Sequence, residues 1–270
     1  MESLPAIFLG LTQGAAEFLP VSSSAHLALF KQLFGLEGAS LSYDVMLHFA
    51  TMLATLVFFA QDIAALLNGW VRGFFSREGR NSEGWSFGWA ILAGTVLTGV
   101  IALPLKPLVE MAMSQPPAIG AGLLITASLL AYGASLSADL RGAPVTTLRG
   151  LIIGIVQGIA VLPGISRSGS TIVAGMKTGL TASAAFRFSF LLSVPAILGA
   201  TLLEVRELLK IHDWAATLPP GWVWGMALAF LSGLLVLRIF RSLVVRGKWR
   251  PFVIYCGAVG CLSLALPFLG

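Results

Sequence analysis

The sequence predicts an all-α polytopic membrane protein: six spanning helices plus two re-entrant helical hairpins in an inverted-topology repeat. Three observations predict it. Of 270 residues, 57% are hydrophobic and only 11% are charged, with a mean hydropathy of +0.89; a soluble domain carries about 25% charged residues. Six runs, at roughly 43–60, 86–105, 117–137, 186–203, 220–240 and 251–269, meet the length of about 20 apolar residues that a spanning helix needs. Two further apolar regions, 4–35 and 147–180, are each interrupted by a proline in a polar turn.

The first region opens with MESLPAIFLG, which lacks the basic segment and small-residue cleavage site of a secretory leader, so it is read as retained. The region breaks at Leu19-Pro20-Val21, and 147–180 breaks at Leu162-Pro163-Gly164. Each break leaves two apolar pieces shorter than a span. Such breaks are tolerated at membrane depth only where protein or a water-filled cavity covers the freed backbone, hence two re-entrant hairpins.

The hairpins resemble one another. GLTQGAAEFLPVSSSAH starts at Gly10 and GIVQGIAVLPGISRSG at Gly154; Gln13-Gly14 matches Gln157-Gly158, and Ser23 and Ser166 each lie three residues beyond their proline. Three spans follow each hairpin, so the second half is expected upside down relative to the first. The chain then reads as one integral domain, 1–270, with repeats at approximately 1–140 and 141–270. Paired interrupted segments in inverted halves point to a binding site near the midplane.

The loops at 61–85, 138–149, 176–187 and 238–250 fall on one side and hold twelve Lys and Arg, against four (Lys31, Lys106, Arg206, Lys210) on the other. By the positive-inside rule the basic side is cytoplasmic, with both termini outside. The net charge of +5 therefore reports topology and predicts no nucleic-acid partner. Cys256 and Cys261, five apart on one helix, form neither a disulfide framework nor a metal site. Tryptophans 70, 85, 89, 214, 222, 224 and 249 lie near span ends and are expected in an aromatic belt.

The tips carry the chemistry. Each puts a serine-rich turn at the start of a half-helix, whose unpaired N–H groups and partial positive charge suit phosphate. Ser22, Ser23 and Ser24 serve the first tip; Ser166, Ser168, Gly169 and Ser170 the second, with glycine allowing close approach to the backbone. Arg167 adds a cationic fork for phosphate oxygens; its plainer role is an ion pair with Glu17. Glu17 can hold a divalent cation or act as a base. His26 can relay a proton or attack phosphorus, or serve as a hydrogen-bonded packing residue. His48, in the first full span, can face the cavity or, at least as readily, make a structural hydrogen bond, and His212 is read as solvated. These features predict a lipid phosphate as ligand and leave hydrolysis and transport both open.

EFLPVSSSAH and PGISRSGST, with YDVMLH at the start of the first full span, resemble the signature segments of the undecaprenyl-diphosphate phosphatases of the bacitracin-resistance type, and the likeness runs along essentially the whole chain. It implies a multi-pass enzyme of the bacterial plasma (inner) membrane. Such an enzyme removes the terminal phosphate of undecaprenyl diphosphate, recycles the carrier for peptidoglycan synthesis and confers bacitracin resistance. The likeness also implies a divalent cation, Mg²⁺ or Ca²⁺, and functional roles for Glu17, Ser23, His26, Ser166 and Arg167. The family's first acid is Gln13 here, which can orient water or ligate through its carbonyl but cannot be a base; Ala25 stands where the family often has glycine. Ser23 and His26 are alternative nucleophiles. A polyprenyl-phosphate translocase of the same fold is the rival reading, a structural membrane protein a third, and a homodimer stays open.

Overall fold

The computed structural model describes residues 3–33, 41–136, 142–210 and 218–266. Among them are twelve helices and no strand: α1 Leu4–Ala16, α2 Ser23–Leu33, α3 Leu41–Phe58, α4 Ala60–Phe75, α5 Arg77–Arg80, α6 Glu83–Met113, α7 Pro116–Leu136, α8 Thr147–Ile159, α9 Arg167–Lys177, α10 Ala182–Leu208, α11 Trp222–Val245 and α12 Arg250–Ala265.

Each of the six apolar runs holds a helix over most of its described residues. Helices α6, α7, α10 and α11 are each long and apolar enough to cross a bilayer alone; α3 qualifies only together with α4, from which it is bent by 74°, and α12 is a 16-residue apolar helix. The protein is thus a multi-pass, all-helical membrane protein. The two interrupted regions fold as matched pairs: α1 and α8 have 13 residues each, α2 and α9 have 11. At 1.5 Å per residue, a 13-residue helix covers about 20 Å of a roughly 30 Å hydrocarbon core, so neither arm crosses alone. Within each pair the arms pack on one another.

One expected loop is corrected. Residues 61–85 hold α4 and α5 rather than irregular chain. Ile63, Leu66, Leu67, Trp70, Val71 and Phe74 recur at the three- and four-residue spacing of an apolar helix face, a pattern that the basic residues of this segment masked. Helix α4 turns away from α3 and packs on α6. Of the tryptophans assigned to a belt, Trp249 is instead buried, 1% exposed. Trp214 and His212 lie outside the described residues.

The arms pack across the two halves. α1 lies against α11 and α8 against α6, while α3 meets α10 and α7 meets α12. The crossings rest on corresponding glycines. A Cβ on Gly10 would collide with the Gly225 carbonyl of α11, and one on Gly154 with the Gly94 carbonyl of α6. Small residues let backbones approach where van der Waals packing, not hydrophobic burial, joins helices. Phe18, beside the first break, is 1% exposed and packs on Phe190 at 5.7 Å between ring centres, which anchors that tip in the core.

Candidate active site

The first tip is a tight turn between Glu17, the C-cap of α1, and Ser23, the first residue of α2. Pro20 has no N–H to continue a helix. Ser22 has φ 67°, the single positive φ outside glycine among the described residues, where a side chain costs about 1–2 kcal/mol. His26 Nδ1–H donates to the Ser22 carbonyl at 2.8 Å and braces this turn. The second tip turns at Gly164, φ 85°. Thr126 on α7 donates to the Gly164 carbonyl at 2.7 Å and accepts from the Ser166 N–H at 2.9 Å. Ser166 then caps α9, accepting from the Gly169 N–H at 3.1 Å.

The tips meet. Arg167 Nη2 donates to Glu17 Oε1 in an ion pair between the hairpins. Ser168 Oγ lies 3.4 Å from the Leu19 carbonyl. Glu17, its side chain 5% exposed, gathers the other contacts on Oε2: it accepts from Ser23 Oγ at 2.7 Å and Gln13 Nε2 at 3.1 Å, with His48 Nε2 3.5 Å away. The carboxylate ties three elements together.

A cavity of about 260 Å³ opens over this cluster. Glu17, Ser22, Ser23, Ser24, His48, Ser166, Arg167 and Ser168 form its polar part; Thr98, Gln157 and Ser193 extend it, with Ala160, Val161, Ile165, Ala196, Ile197 and Ala200 as an apolar wall. Ser193 is buried and Ala200, two turns along α10, is exposed, so the apolar wall runs outward from the polar end.

Most of the expected residues are brought together; Ser170, buried on α9, is not part of the cavity lining, and three others stand elsewhere. Gln13, 0% exposed, supports Glu17 from behind rather than facing the cavity. Gly169 packs toward Pro20 and Leu130, its N–H already taken by Ser166. His26 faces a different cleft, between the first hairpin and α12, with Tyr255. Its Nδ1–H is held by Ser22, and its Nε2 accepts from the Tyr255 hydroxyl at 2.6 Å. Both nitrogens are engaged, so the structure corrects the expectation that His26 shares the cavity with Glu17 and Ser23. His48 occupies that position instead. Its Nδ1–H donates to the Asp44 carbonyl at 2.8 Å, leaving Nε2 toward Glu17. The available signal was a polar stripe on α3, Asp44, His48, Thr51 and Thr55, at helical spacing inside an apolar span.

The donor set does not fit a divalent cation held by protein alone. Among the described residues Glu17 is the single carboxylate lining the cavity, and one of its oxygens is committed to Arg167. No group of three or more His, Cys, Asp or Glu among the described residues could hold a metal. Ca²⁺ takes six to eight oxygens, and Mg²⁺ is bound through one or two carboxylates plus substrate phosphates. The physical reason lies in Gln13, which supplies an amide where a second acid would be needed.

Comparison with known proteins identifies the family. The model of the family described as bacitracin resistance protein BacA matches residues 6–262. The chain belongs to that family. Among curated relatives, the undecaprenyl-diphosphatase of Desulfosudis oleivorans is 40% identical over 98% of both chains. That of Treponema denticola is 39% identical over 100% of this chain and 99% of its own. That of Methanosphaera stadtmanae is 36% identical over 98% of both. In this member of the BacA family, the two tips therefore carry the polar residues around one cavity, with the acid on one hairpin and the arginine on the other.

Proposed function

We propose that this chain is an undecaprenyl-diphosphatase of the bacterial plasma membrane, hydrolysing undecaprenyl diphosphate to undecaprenyl phosphate and inorganic phosphate. The observation that carries the reading is the Arg167–Glu17–Ser23 chain across the two tips. Arg167 Nη1 is buried without a protein partner, and the Arg167 and Ser168 N–H groups at the start of α9 lack intrahelical acceptors. Both suit the terminal phosphate, whose transition-state charge they stabilise. The isoprenoid tail follows the apolar wall along α10 into lipid.

Attack falls to Ser23, because both nitrogens of His26 are engaged. The Ser23 Oγ–P bond forms as the bridging P–O bond breaks, and the electron pair leaves with undecaprenyl phosphate. The serine proton passes to Glu17 Oε2, already 2.7 Å away, and from there to solvent. Water then hydrolyses the phosphoserine. His26 is a positioning residue that holds the Ser22 turn. A divalent cation would have to arrive with the substrate phosphates, since Glu17 is the one carboxylate among the described cavity residues that could ligate it.

The exchanged packing of α1 on α11 and α8 on α6 supports an inverted repeat, and the basic bias of one side supports a cavity opening outward, with both termini outside. The test is phosphate release from farnesyl or undecaprenyl diphosphate by the purified protein, with Mg²⁺, Ca²⁺ or chelator, beside Ser23→Ala. Release lost in the variant is expected. A wild type that releases no phosphate while moving the lipid between leaflets of a vesicle would overturn the reading in favour of a translocase.

A further inference from the structure

Gln157, at the end of α8, lines the same cavity and is 2% exposed. Its neighbours fix which way its amide faces. Nε2 donates to Thr98 Oγ1 at 3.2 Å and lies 3.5 Å from the Leu192 carbonyl. Thr98 has one hydroxyl proton, directed to the Gly94 and Gly154 carbonyls at 2.8 and 3.1 Å, so toward Gln157 its oxygen can only accept. Rotating the amide would set Oε1 against two acceptors. The carbonyl oxygen therefore holds a single orientation, and there it has no protein partner. A buried acceptor left unpaired is costly, and Gln157 is the residue with such an acceptor that lines the cavity, where a partner can enter.

The chemistry of the cavity narrows what that is. A phosphate bound at Arg167 presents anionic oxygens, which a carbonyl oxygen repels. The second pKa of a phosphate monoester is about 6, so a P–OH donor is the minor form at neutral pH. A hard cation would find one carboxylate, already paired with arginine. The remaining donor is water, which fits a polar niche offering two to four partners.

We propose that Gln157 Oε1 holds the water that receives the phosphoryl group from Ser23, an inference that rests on the phosphatase reading above. In that step the water oxygen bonds to phosphorus as the Ser23 Oγ–P bond breaks, with its electron pair returning to Oγ. One water proton passes to Ser23 through Glu17, and the other stays on the released phosphate. Gln157 thereby positions the nucleophile of the second half-reaction, and Thr98 positions Gln157.

The experiment is steady-state turnover of farnesyl diphosphate by the full-length protein in detergent, with methanol as a competing acceptor, comparing wild type, Gln157→Leu and Thr98→Val. A positioning loss of this kind lowers kcat about 10- to 100-fold with KM within about twofold, and raises the ratio of methyl phosphate to inorganic phosphate several-fold. A folded Gln157→Leu with wild-type kcat and product ratio overturns the proposal while leaving the phosphatase standing. So does a variant whose KM rises with kcat unchanged, since Gln157 would then bind the substrate head. Should Gln157→Leu not fold, Thr98→Val frees the same amide, and a wild-type product ratio there is equally fatal. A wild type that releases no phosphate removes both readings at once.

Discussion

Replacing Glu17 by glutamine keeps the volume of the side chain and removes its charge. The carboxylate accepts from Arg167 on one oxygen and from Ser23 and Gln13 on the other. An amide offers one oxygen, so its NH₂ must face a donor on one side or the other. Arg167, 17% exposed, then has no other acid among the described residues of the cavity. Removing one partner of a buried pair costs about 3–5 kcal/mol; because Arg167 is not fully buried, the low end, about 3 kcal/mol, is expected. A second substitution separates structure from chemistry. Glu17→Gln with Arg167→Gln removes both charges and should recover most of the lost stability, as neutral replacements of buried pairs do, but no turnover. Apparent melting temperature in detergent and phosphate release read the two effects. Glu17→Gln is expected to melt well below wild type and to turn over at least about 100-fold more slowly, an oxygen having lost its role as proton acceptor. Equal melting temperatures for wild type and the single variant, or a double variant no more stable than the single, would refute the ion-pair argument. Turnover within about tenfold of wild type would remove Glu17 from the proton transfer.

Arg167→Lys should keep the ion pair in part and lose the second arm of the fork, lowering kcat/KM about 100-fold; a loss under tenfold would show that a point charge suffices. His26→Ala should lower both melting temperature and turnover by releasing the Ser22 turn, and Ser22→Gly in the same chain should recover part of each, since glycine adopts φ 67° without strain. Absence of any recovery would indicate that His26 acts on substrate rather than on the turn. Gly10→Val and Gly154→Val each drive a side chain into a facing carbonyl and should reduce the folded yield in size-exclusion profiles alike; a full yield from either would show that its helix crossing is not tightly packed.

Legibility followed chemistry more than geometry. The hairpins could be read because a proline inside an apolar run leaves few alternatives, and Glu17 and Arg167 because a charge there needs a partner. Their pairing was foreseen as the plainer of two roles; here the pair and the free Nη1 of Arg167 allow both. Histidine assignment went the other way. His26 is three residues from Ser23 in sequence, yet α2 turns its ring toward Tyr255, stacked at 5.5 Å. His48, on α3, reaches Glu17 from another helix. Sequence proximity ranks neighbours along a helix, whereas a cavity between hairpins collects residues from elements far apart in the chain. Helix α4 was missed for a different reason: arginines near a membrane surface mark a side, not a loop, because their long stems let an amphipathic helix keep its charges in water.

The division of charge between the halves couples assembly to chemistry. An acid or a basic residue at the centre of a membrane helix costs about 2.5–3.5 kcal/mol on insertion scales. Glu17 is on the first hairpin and Arg167 on the second, 150 residues apart, so neither is compensated until both halves have packed. The crossings that bring them together, α1 on α11 and α8 on α6, each join a hairpin of one half to a span of the other. A half folded alone would expose both an unpaired charge and a glycine-lined groove with nothing to fill it. The matching glutamines then differ by what surrounds them: each leaves its carbonyl without a protein partner, but Gln13 turns its NH₂ to Glu17 behind the cavity, whereas Gln157 turns its NH₂ to Thr98 and lines the cavity. Two matched hairpins thus yield an asymmetric site, because the charged partner of each lies on the other.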